Sequence, residues 1–330
     1  MRVEKVLVTG ADGMLGSHIV SELKQRGYPV KVMIIPGSTA HTLEGIDVEI
    51  CHGDIRNPLD CSNAVQDCPS VIHAAASTST WPARSQVEKE INFTGTCNMV
   101  KAAQAAGVRR FIYISTASCF GPGDRLHPAD ETTPFRGGKY GLDYVDSKHA
   151  AHEYVMEQAR GHEFPAIAIC PTFMIGPNDI NLGTGQFIVA LRKRKLPFVS
   201  RGGKNFVYVR DVAVATVNAL EKGKLGEAYI AGHSNMSYWH YTHLAGKVIQ
   251  ATPPHFILPD WVVLTAGWLS TLAARVFSFR PMLNLAQARA SLDCQYFDPG
   301  KAIRELDLPQ TELEVAVRAA YEWLRKEGIC

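Results

Sequence analysis

Short apolar runs alternate with amphipathic stretches along the first half of the chain. Lys5–Val8 reads as a buried strand closed by Thr9-Gly10. Met14–Arg26 carries Leu15, Ile19 and Leu23 at helical spacing and stops at Gly27. Val30–Ile35 predicts a second strand, ended by Pro36-Gly37, with Val48–Ile50 a third and Val71–His73 a fourth. Glu88–Ala106 predicts one long helix that ends at Gly107. Phe111–Ile114 predicts a fifth strand, Tyr144–Ala159 a helix and Ala166–Ile169 a sixth strand. Strands alternating with helices imply parallel βαβ units in a doubly wound α/β sheet.

After about Pro171 the pattern loosens, and Pro and Gly cluster at Gly176-Pro177, Gly183, Gly185 and Gly202-Gly203. This half predicts a smaller C-terminal α/β lobe. Phe206–Val209 and Ala228–Ile230 predict strands that return to the main sheet. Glu312–Lys326 predicts a terminal helix with Leu313, Val317, Ala320 and Leu324 on one face.

Composition narrows the classes. Hydrophobic residues make up 46% of the 330 and charged residues 20%, as in a globular protein with a sizeable core. Thirty-four basic and 32 acidic side chains leave a formal charge of +2, which argues against a general nucleic-acid binder. None of the eight cysteines forms a C-x-x-C pair, so they read as reduced thiols of a cytoplasmic protein, with no metal site. Met1-Arg2-Val3-Glu4-Lys5 lacks the apolar core of a signal peptide. The apolar run Trp261–Ala274 has 14 residues, short of the ~18–20 that span a bilayer.

The sharpest motif is Thr9-Gly10-Ala11-Asp12-Gly13-Met14-Leu15-Gly16, between a strand and a helix. Gly10 suits the tight turn, Gly13 lets backbone approach a pyrophosphate, and Gly16 lets helix pack on strand. The helix N-terminus adds unpaired N–H groups and a positive dipole end. Residues 1–170 therefore read as a dinucleotide-binding domain, completed by strands from about 206–231. Residues 171–330 read mainly as a substrate-binding lobe.

The tip of the second strand, Ile34-Ile35-Pro36-Gly37-Ser38, holds neither the acid that favours NAD nor the arginine that favours NADP. Lys31 points along the strand and His41 lies nearby. With no carboxylate there to repel a 2′-phosphate, the cofactor reading, NAD(P)(H), leans to NADP(H). Asp54, in Gly53-Asp54-Ile55, could accept from an adenine amino group. Ala74 and Ala75, after His73, allow close backbone approach.

Tyr144 and Lys148 lie one turn apart on one helix face. An ammonium beside a phenol would lower its pKa from ~10 and suit it to proton transfer at a carbonyl oxygen. Alone the spacing is weak. A hydroxyl partner belongs after the fifth strand, where Ser115, Thr116 and Ser118 stand.

Taken in order, these motifs resemble the extended short-chain dehydrogenase/reductase family over nearly the whole chain. The matching pieces include the glycine turn, Gly53-Asp-Ile55, Val71-Ile-His-Ala-Ala75, Asn92-Phe-Thr-Gly-Thr96 and Ile114-Ser-Thr-Ala-Ser118. Tyr144-Val-Asp-Ser-Lys148, Pro171-Thr-Phe-Met-Ile-Gly-Pro177 and Phe206-Val-Tyr-Val-Arg-Asp-Val212 complete the series. The resemblance implies a Rossmann-type sheet, catalytic Tyr144 and Lys148, and a mainly structural Asn92. The family's Ser/Thr lies five residues before the glycine of the following turn, so the resemblance implies Thr116, five before Gly121, as the catalytic hydroxyl, with Ser115 and Ser118 as fallbacks. Cofactor contacts are implied at Gly10, Gly13, Met14, Leu15, Gly16, Asp54, Ile55, Ala74, Ala75, Lys148 and Pro171.

Within the family, Ala117-Ser118 replaces the acid pair of the sugar-nucleotide 4,6-dehydratases. Cys170 and the Lys204-Asn205 region stand where sugar-nucleotide epimerases resemble one another in carrying arginines, whose forks suit phosphate oxygens. Cys170–Pro177 and Tyr296–Leu306 look more like dihydroflavonol-reductase-like and 3β-hydroxysteroid-dehydrogenase-like members. The expected function is an NAD(P)-dependent oxidoreductase that interconverts a carbonyl and an alcohol on a small, largely apolar substrate. An NAD-dependent sugar-nucleotide epimerase and a non-catalytic dinucleotide sensor are the alternatives. Trp81 is a candidate pocket wall. The Phe256–Phe279 stretch either lines that pocket, packs in the core or at a dimer contact, or lies on a membrane as a peripheral contact. The family's homodimers suggest the helices at Glu88 and Tyr144 as a dimer face.

Overall fold

The structure, a computed structural model, describes residues 4–161 and 164–330. Met1, Arg2 and Val3, on which part of the N-terminal reading rested, lie outside the described residues. The first half comprises β1 (Val6–Thr9), α1 (Met14–Gln25), β2 (Val30–Ile34), β3 (Glu49–His52), α2 (Pro58–Ala64) and β4 (Ser70–His73). It continues with α3 (Gln86–Lys89), α4 (Gly95–Ala105), β5 (Arg110–Ile114), α5 (Asp143–Gly161) and β6 (Ala166–Pro171). Then come β7 (Phe173–Ile175), α6 (Gln186–Arg192), β8 (Phe198–Val199), β9 (Gly203–Tyr208), α7 (Val209–Lys222), β10 (Ala228–Ala231) and β11 (Ser234–Ser237). The chain closes with α8 (Tyr238–Ile249), β12 (Phe256–Ile257), α9 (Asp260–Phe277), α10 (Leu285–Ala290), β13 (Cys294–Gln295), α11 (Gly300–Leu306) and α12 (Leu313–Lys326).

Seven strands form a parallel, Rossmann-like sheet in the order β10-β6-β5-β4-β1-β2-β3. Alternate residues of each inner strand enter different cores. Val6, Val8, Ile72, Ile112 and Ile167 join Ile19, Leu23 and Val212 on one side. Leu7, Val71, Phe111, Tyr113 and Ala168 join Met99, Val100 and Val155 on the other. Both faces are covered, so these strands are apolar throughout rather than alternating. The strand order reverses between β1 and β4, and ligands bind such sheets at that crevice.

Two elements depart from the sequence reading. Ala228–Ala231 does return to the main sheet, beside β6. Phe206–Val209 does not. Its strand pairs with β7, β11 and β13 in a second, four-stranded sheet, and Val209 already begins α7. Apolar alternation predicts a strand but not its neighbours, and β7 follows β6 closely enough to offer the nearer partner. The long helix expected at Glu88–Ala106 is α3 and α4 joined by a π-helical turn, Glu90–Thr94. The extra residue of that turn carries Asn92, which is buried and bonded to neighbouring segments.

Candidate active site

The turn after β1 is crowded from the far side of the crevice. Gly10 has φ +64°, and a Cβ there would lie 2.6 Å from the Ala75 Cα. A Cβ on Gly16 would lie 2.0 Å from the Gly10 carbonyl oxygen, so only glycine lets α1 sit this close. Gly13 differs, since its Cβ would meet only the Gly10 oxygen, at 3.3 Å. Internal packing therefore requires Gly10 and Gly16 but leaves Gly13 accessible to a ligand. Gly13 also caps α1 with no side-chain hydrogen bond and no acid in the first turn, leaving N–H donors at Met14 and Leu15 unengaged by side chains.

His73 ties the two sides of this crevice together. Its Nδ1 lies 2.8 Å from Thr9 Oγ1, and its Nε2 lies 3.2 Å from Thr96 Oγ1. Thr96 donates to the Asn92 carbonyl, and Thr9 Oγ1 accepts from the Ala75 N–H. That leaves Thr96 to accept from Nε2–H and Thr9 to donate to Nδ1, which sets the tautomer. Burial lowers the His73 pKa to about 3, so the ring is neutral. Ala74 and Ala75 sit against Gly10 through this network.

At the β2 tip, Ser38 donates to the Asp12 carboxylate, and Thr42 donates to the Asp12 carbonyl at 3.0 Å. A carboxylate from the glycine turn thus reaches the tip that lacks one in β2. Reading β2 alone missed Asp12, although an acid inside the turn motif was the available signal. Lys31 turns away, to the Asn63 carbonyl and Glu49, and His41 pairs with Glu44 on the surface. The Asp54 carboxylate is held by Arg56 through Nε at 2.9 Å and Nη2 at 2.5 Å, which keeps its pKa below the usual carboxylate range. Ile55 is wedged against Gly95 of α4, and its carbonyl accepts from Asn98. Pro171 ends β6, buried beside Ala231 of β10.

Beyond β5 the three hydroxyls separate. Ser115 faces His152 at 3.0 Å and Cys119 at 3.3 Å, inside the packing of α5. Ser118 offers its N–H to Thr116 Oγ1 at 3.2 Å. Among the three, Thr116 is the hydroxyl whose influence opposes the upward shift of the Tyr144 phenol pKa. Asn92 bonds Ser77 through both backbone groups and donates to Ser147 at 3.2 Å, clamping the segment after β4 onto α5 just before Lys148. Glu88 accepts from Ser77 Oγ at 2.7 Å, and its other carboxyl oxygen is buried without a partner. The sequence reading made Glu88 only the start of the long helix, with no sign of its burial.

Lys148 is buried, with Nζ 2.7 Å from the Ile114 carbonyl and 4.5 Å from the centre of the Tyr113 ring. Burial lowers its pKa to about 8. The phenol of Tyr144 moves the opposite way, pushed up to about 12 by burial despite the lowering influence of Thr116. The expected lowering by Lys148 is thus not what this geometry produces, because the ammonium is directed at Ile114 and Tyr113. At neutral pH the phenol keeps its proton.

A stability measurement should register the buried lysine. Its pKa falls from 10.5 unfolded to about 8 folded. Below pH ~8 both states are protonated and the cost of burying the charge is fully present. Between those values the unfolded chain binds more protons, so this contribution to stability rises with pH. Lys148→Met should therefore melt above wild type at pH 7, and the gap should narrow toward pH 10. Melting curves of the two proteins across that range check it, and a gap that widens with pH refutes the assignment.

A part-buried lysine lies on β9. Lys204 Nζ donates to Gln295 at 2.5 Å and sits 5.7 Å from the centre of the Phe173 ring, and burial lowers its pKa to about 8.

Known proteins resemble this chain in sequence and fold. A family model described as "NAD dependent epimerase/dehydratase family" matches residues 6–232. The chain is 28% identical over 326 residues to a "Putative dihydroflavonol 4-reductase" of Synechocystis, covering 97% of this chain and 94% of that protein. It is 24% identical over 351 residues to a decarboxylating sterol-4-alpha-carboxylate 3-dehydrogenase of Candida albicans, covering 98% and 99%. The crystal structure of gox2253 superimposes with a TM-score of 0.87 at 30% identity, over 99% of both chains. The chain belongs to the NAD-dependent epimerase/dehydratase family, among the extended short-chain dehydrogenase/reductases, and is an NAD(P)-dependent oxidoreductase.

Proposed function

We propose that the protein interconverts a carbonyl and an alcohol on a small, largely apolar substrate, with Tyr144 as proton donor and acceptor. The observation that carries this is a half-buried Tyr144 phenol that keeps its proton at neutral pH, one turn from the buried Lys148 on α5. In reduction Tyr144 gives its proton to the carbonyl oxygen while Thr116 holds that oxygen by a hydrogen bond. In oxidation Tyr144 takes the proton back. A bound nicotinamide supplies or accepts the hydride.

The chain's own residues suit such a cofactor. Its pyrophosphate would meet Gly13 and the N–H groups of Met14 and Leu15 at the α1 N-terminus, with Gly10, Gly16, Ala74 and Ala75 shaping the crevice. Lys148 uses one of its three donors on Ile114 and has two for the nicotinamide ribose. Asp54 and Ile55 flank the adenine end, and Pro171 the nicotinamide end. The cofactor domain runs to about residue 170 with β10 added, and residues 171–330 mainly shape the substrate side. The absence of arginine at Cys170 and Lys204, and the reductase and sterol-dehydrogenase relatives, support an apolar substrate over a sugar diphosphate. The eight unpaired cysteines support a cytoplasmic location, and a homodimer through α3–α5 is part of the same proposal.

For the cofactor we propose NAD(H). Asp12 at the β2 tip would accept from a ribose 2′-hydroxyl and repel a 2′-phosphate. Asp12→Asn keeps an acceptor for Ser38 and removes the charge. It should raise the NADP-to-NAD ratio of kcat/KM by about tenfold. An unchanged ratio excludes Asp12 as the discriminator. The reaction class is tested by following reduced-nicotinamide absorbance with a panel of ketones and aldehydes. Net cofactor oxidation is expected. Product formed without net absorbance change would instead identify an epimerase cycle, and tight binding without turnover across the panel a sensor.

A further inference from the structure

Helix α9, read from the sequence as a pocket, core, dimer or membrane-surface helix, buries only Val263, Gly267 and Ala274 of its 18 residues. That inner side packs tightly on α10, where a Cβ on Gly267 would lie 2.6 Å from the Ala288 Cβ. Thr271 Oγ1 accepts from the Leu285 N–H at 2.9 Å and locks the pair. The outer side is an apolar stripe at helical spacing, running through Trp261, Trp268, Leu269, Leu272 and Val276. Trp261 is 71% exposed and Val276 66%. Nearly half of the exposed large apolar side chains among the described residues fall within residues 256–282. An unpartnered patch of this kind marks an interaction surface.

Charge says what covers it. Between Asp260 and Asp293 the chain carries Arg275, Arg280 and Arg289, all exposed, and no acidic residue. The two flanking acids are engaged elsewhere, Asp260 by Arg201 at 2.9 Å and Asp293 by Lys139 at 2.6 Å. A two-fold dimer would set this patch against itself and bring three arginines onto three more with no acid between them. An anionic lipid surface meets both features, apolar side chains entering the interface and guanidinium groups facing phosphates. Arg289 also lines a groove of about 350 Å³ with Leu264, Thr265, Trp268 and Leu285, open to a headgroup. No described helix is long and apolar enough to cross a membrane, so the geometry is that of a helix lying on one.

We propose that α9 and the segment after it dock the protein on the surface of an anionic lipid bilayer. Asn284 and Gln287 of the α10 cap donate to Thr80 at 2.8 Å each, which ties this surface to the segment after β4. The docked helix would therefore stand next to the Thr80–Trp81 segment. The inference does not depend on the substrate or on Tyr144.

The test is flotation of the full chain with vesicles of phosphatidylcholine alone or with about a third phosphatidylglycerol. Binding is expected to the anionic vesicles only and to weaken as salt is raised. Leu269→Glu/Leu272→Glu, and separately Arg275→Glu/Arg280→Glu, should each lower the bound fraction about tenfold. Unchanged melting temperature and NAD binding show that these surface variants fold. Failure to float with anionic vesicles, or equal binding to neutral ones, overturns the proposal. So does light scattering that shows a dimer dissolved by Leu269→Glu/Leu272→Glu.

Discussion

Tyr144→Phe should lower kcat by about 10²–10⁴ while leaving NAD affinity and melting temperature near wild type. The phenol hydroxyl is the proton donor proposed for the carbonyl oxygen, and phenylalanine keeps the ring that fills its place on α5. Burial already holds the wild-type phenol in its protonated form, at a pKa of about 12, so removing the hydroxyl takes away a proton source and not a buried charge. Thr116→Val should cost less, because a hydrogen bond to the reacting oxygen is lost while the proton remains. Titration with NAD and steady-state turnover on a responsive ketone are the measurements. Turnover near wild type in Tyr144→Phe removes the assignment. Lost NAD binding would point instead to a structural role.

Gly10→Ala should weaken NAD binding about a hundredfold or more and lower stability. Two penalties combine. An alanine at φ +64° costs about 1–2 kcal/mol, since L side chains avoid that region. Its Cβ would also lie within 3 Å of backbone atoms of Ala74 and Ala75, and backbone has no rotamer by which to yield. The turn must then move off β4, along with the α1 N-terminus proposed to hold the pyrophosphate. A displacement of about 1 Å can cost two orders of magnitude where alignment matters. Gly13→Ala is the control. Nothing in the protein crowds that position beyond one oxygen at 3.3 Å, so the chain should keep its stability and lose cofactor affinity alone. Urea unfolding with calorimetric NAD titration separates the two. Gly10→Ala binding NAD as wild type does would remove the crevice from the cofactor site.

Much of this was legible in the chain. The glycine turn carried its own steric logic, and Gly10 and Gly16 meet the contacts their type anticipates. The family resemblance singled out Tyr144, Lys148 and Thr116, and the fold brings them to neighbouring elements. Where Ser115, Thr116 and Ser118 each point needed the fold, because a strand end allows each a different direction. Ser115 turns to His152, which lies 37 positions along the chain. Asp12 was visible as a residue but not as a neighbour of the β2 tip, since Ser38 joins it across 26 positions. The π-helical turn at Asn92 escaped the helix pattern because one added residue shifts the face without breaking the apolar run.

Local periodicity determined where the strands and helices of the first half lie, because parallel strands buried on both faces must be apolar throughout. Composition determined that the chain can bury a sizeable core. Tertiary structure decided which sheet β9 joins, since pairing depends on the nearest available partner. It decided the protonation of Tyr144 and Lys148, since burial and direction, more than spacing, set their pKa values. It also decided the place of Trp261–Ala274. Sequence could mark that run as apolar, but only the packing of α10 against its inner side left the outer stripe without a partner.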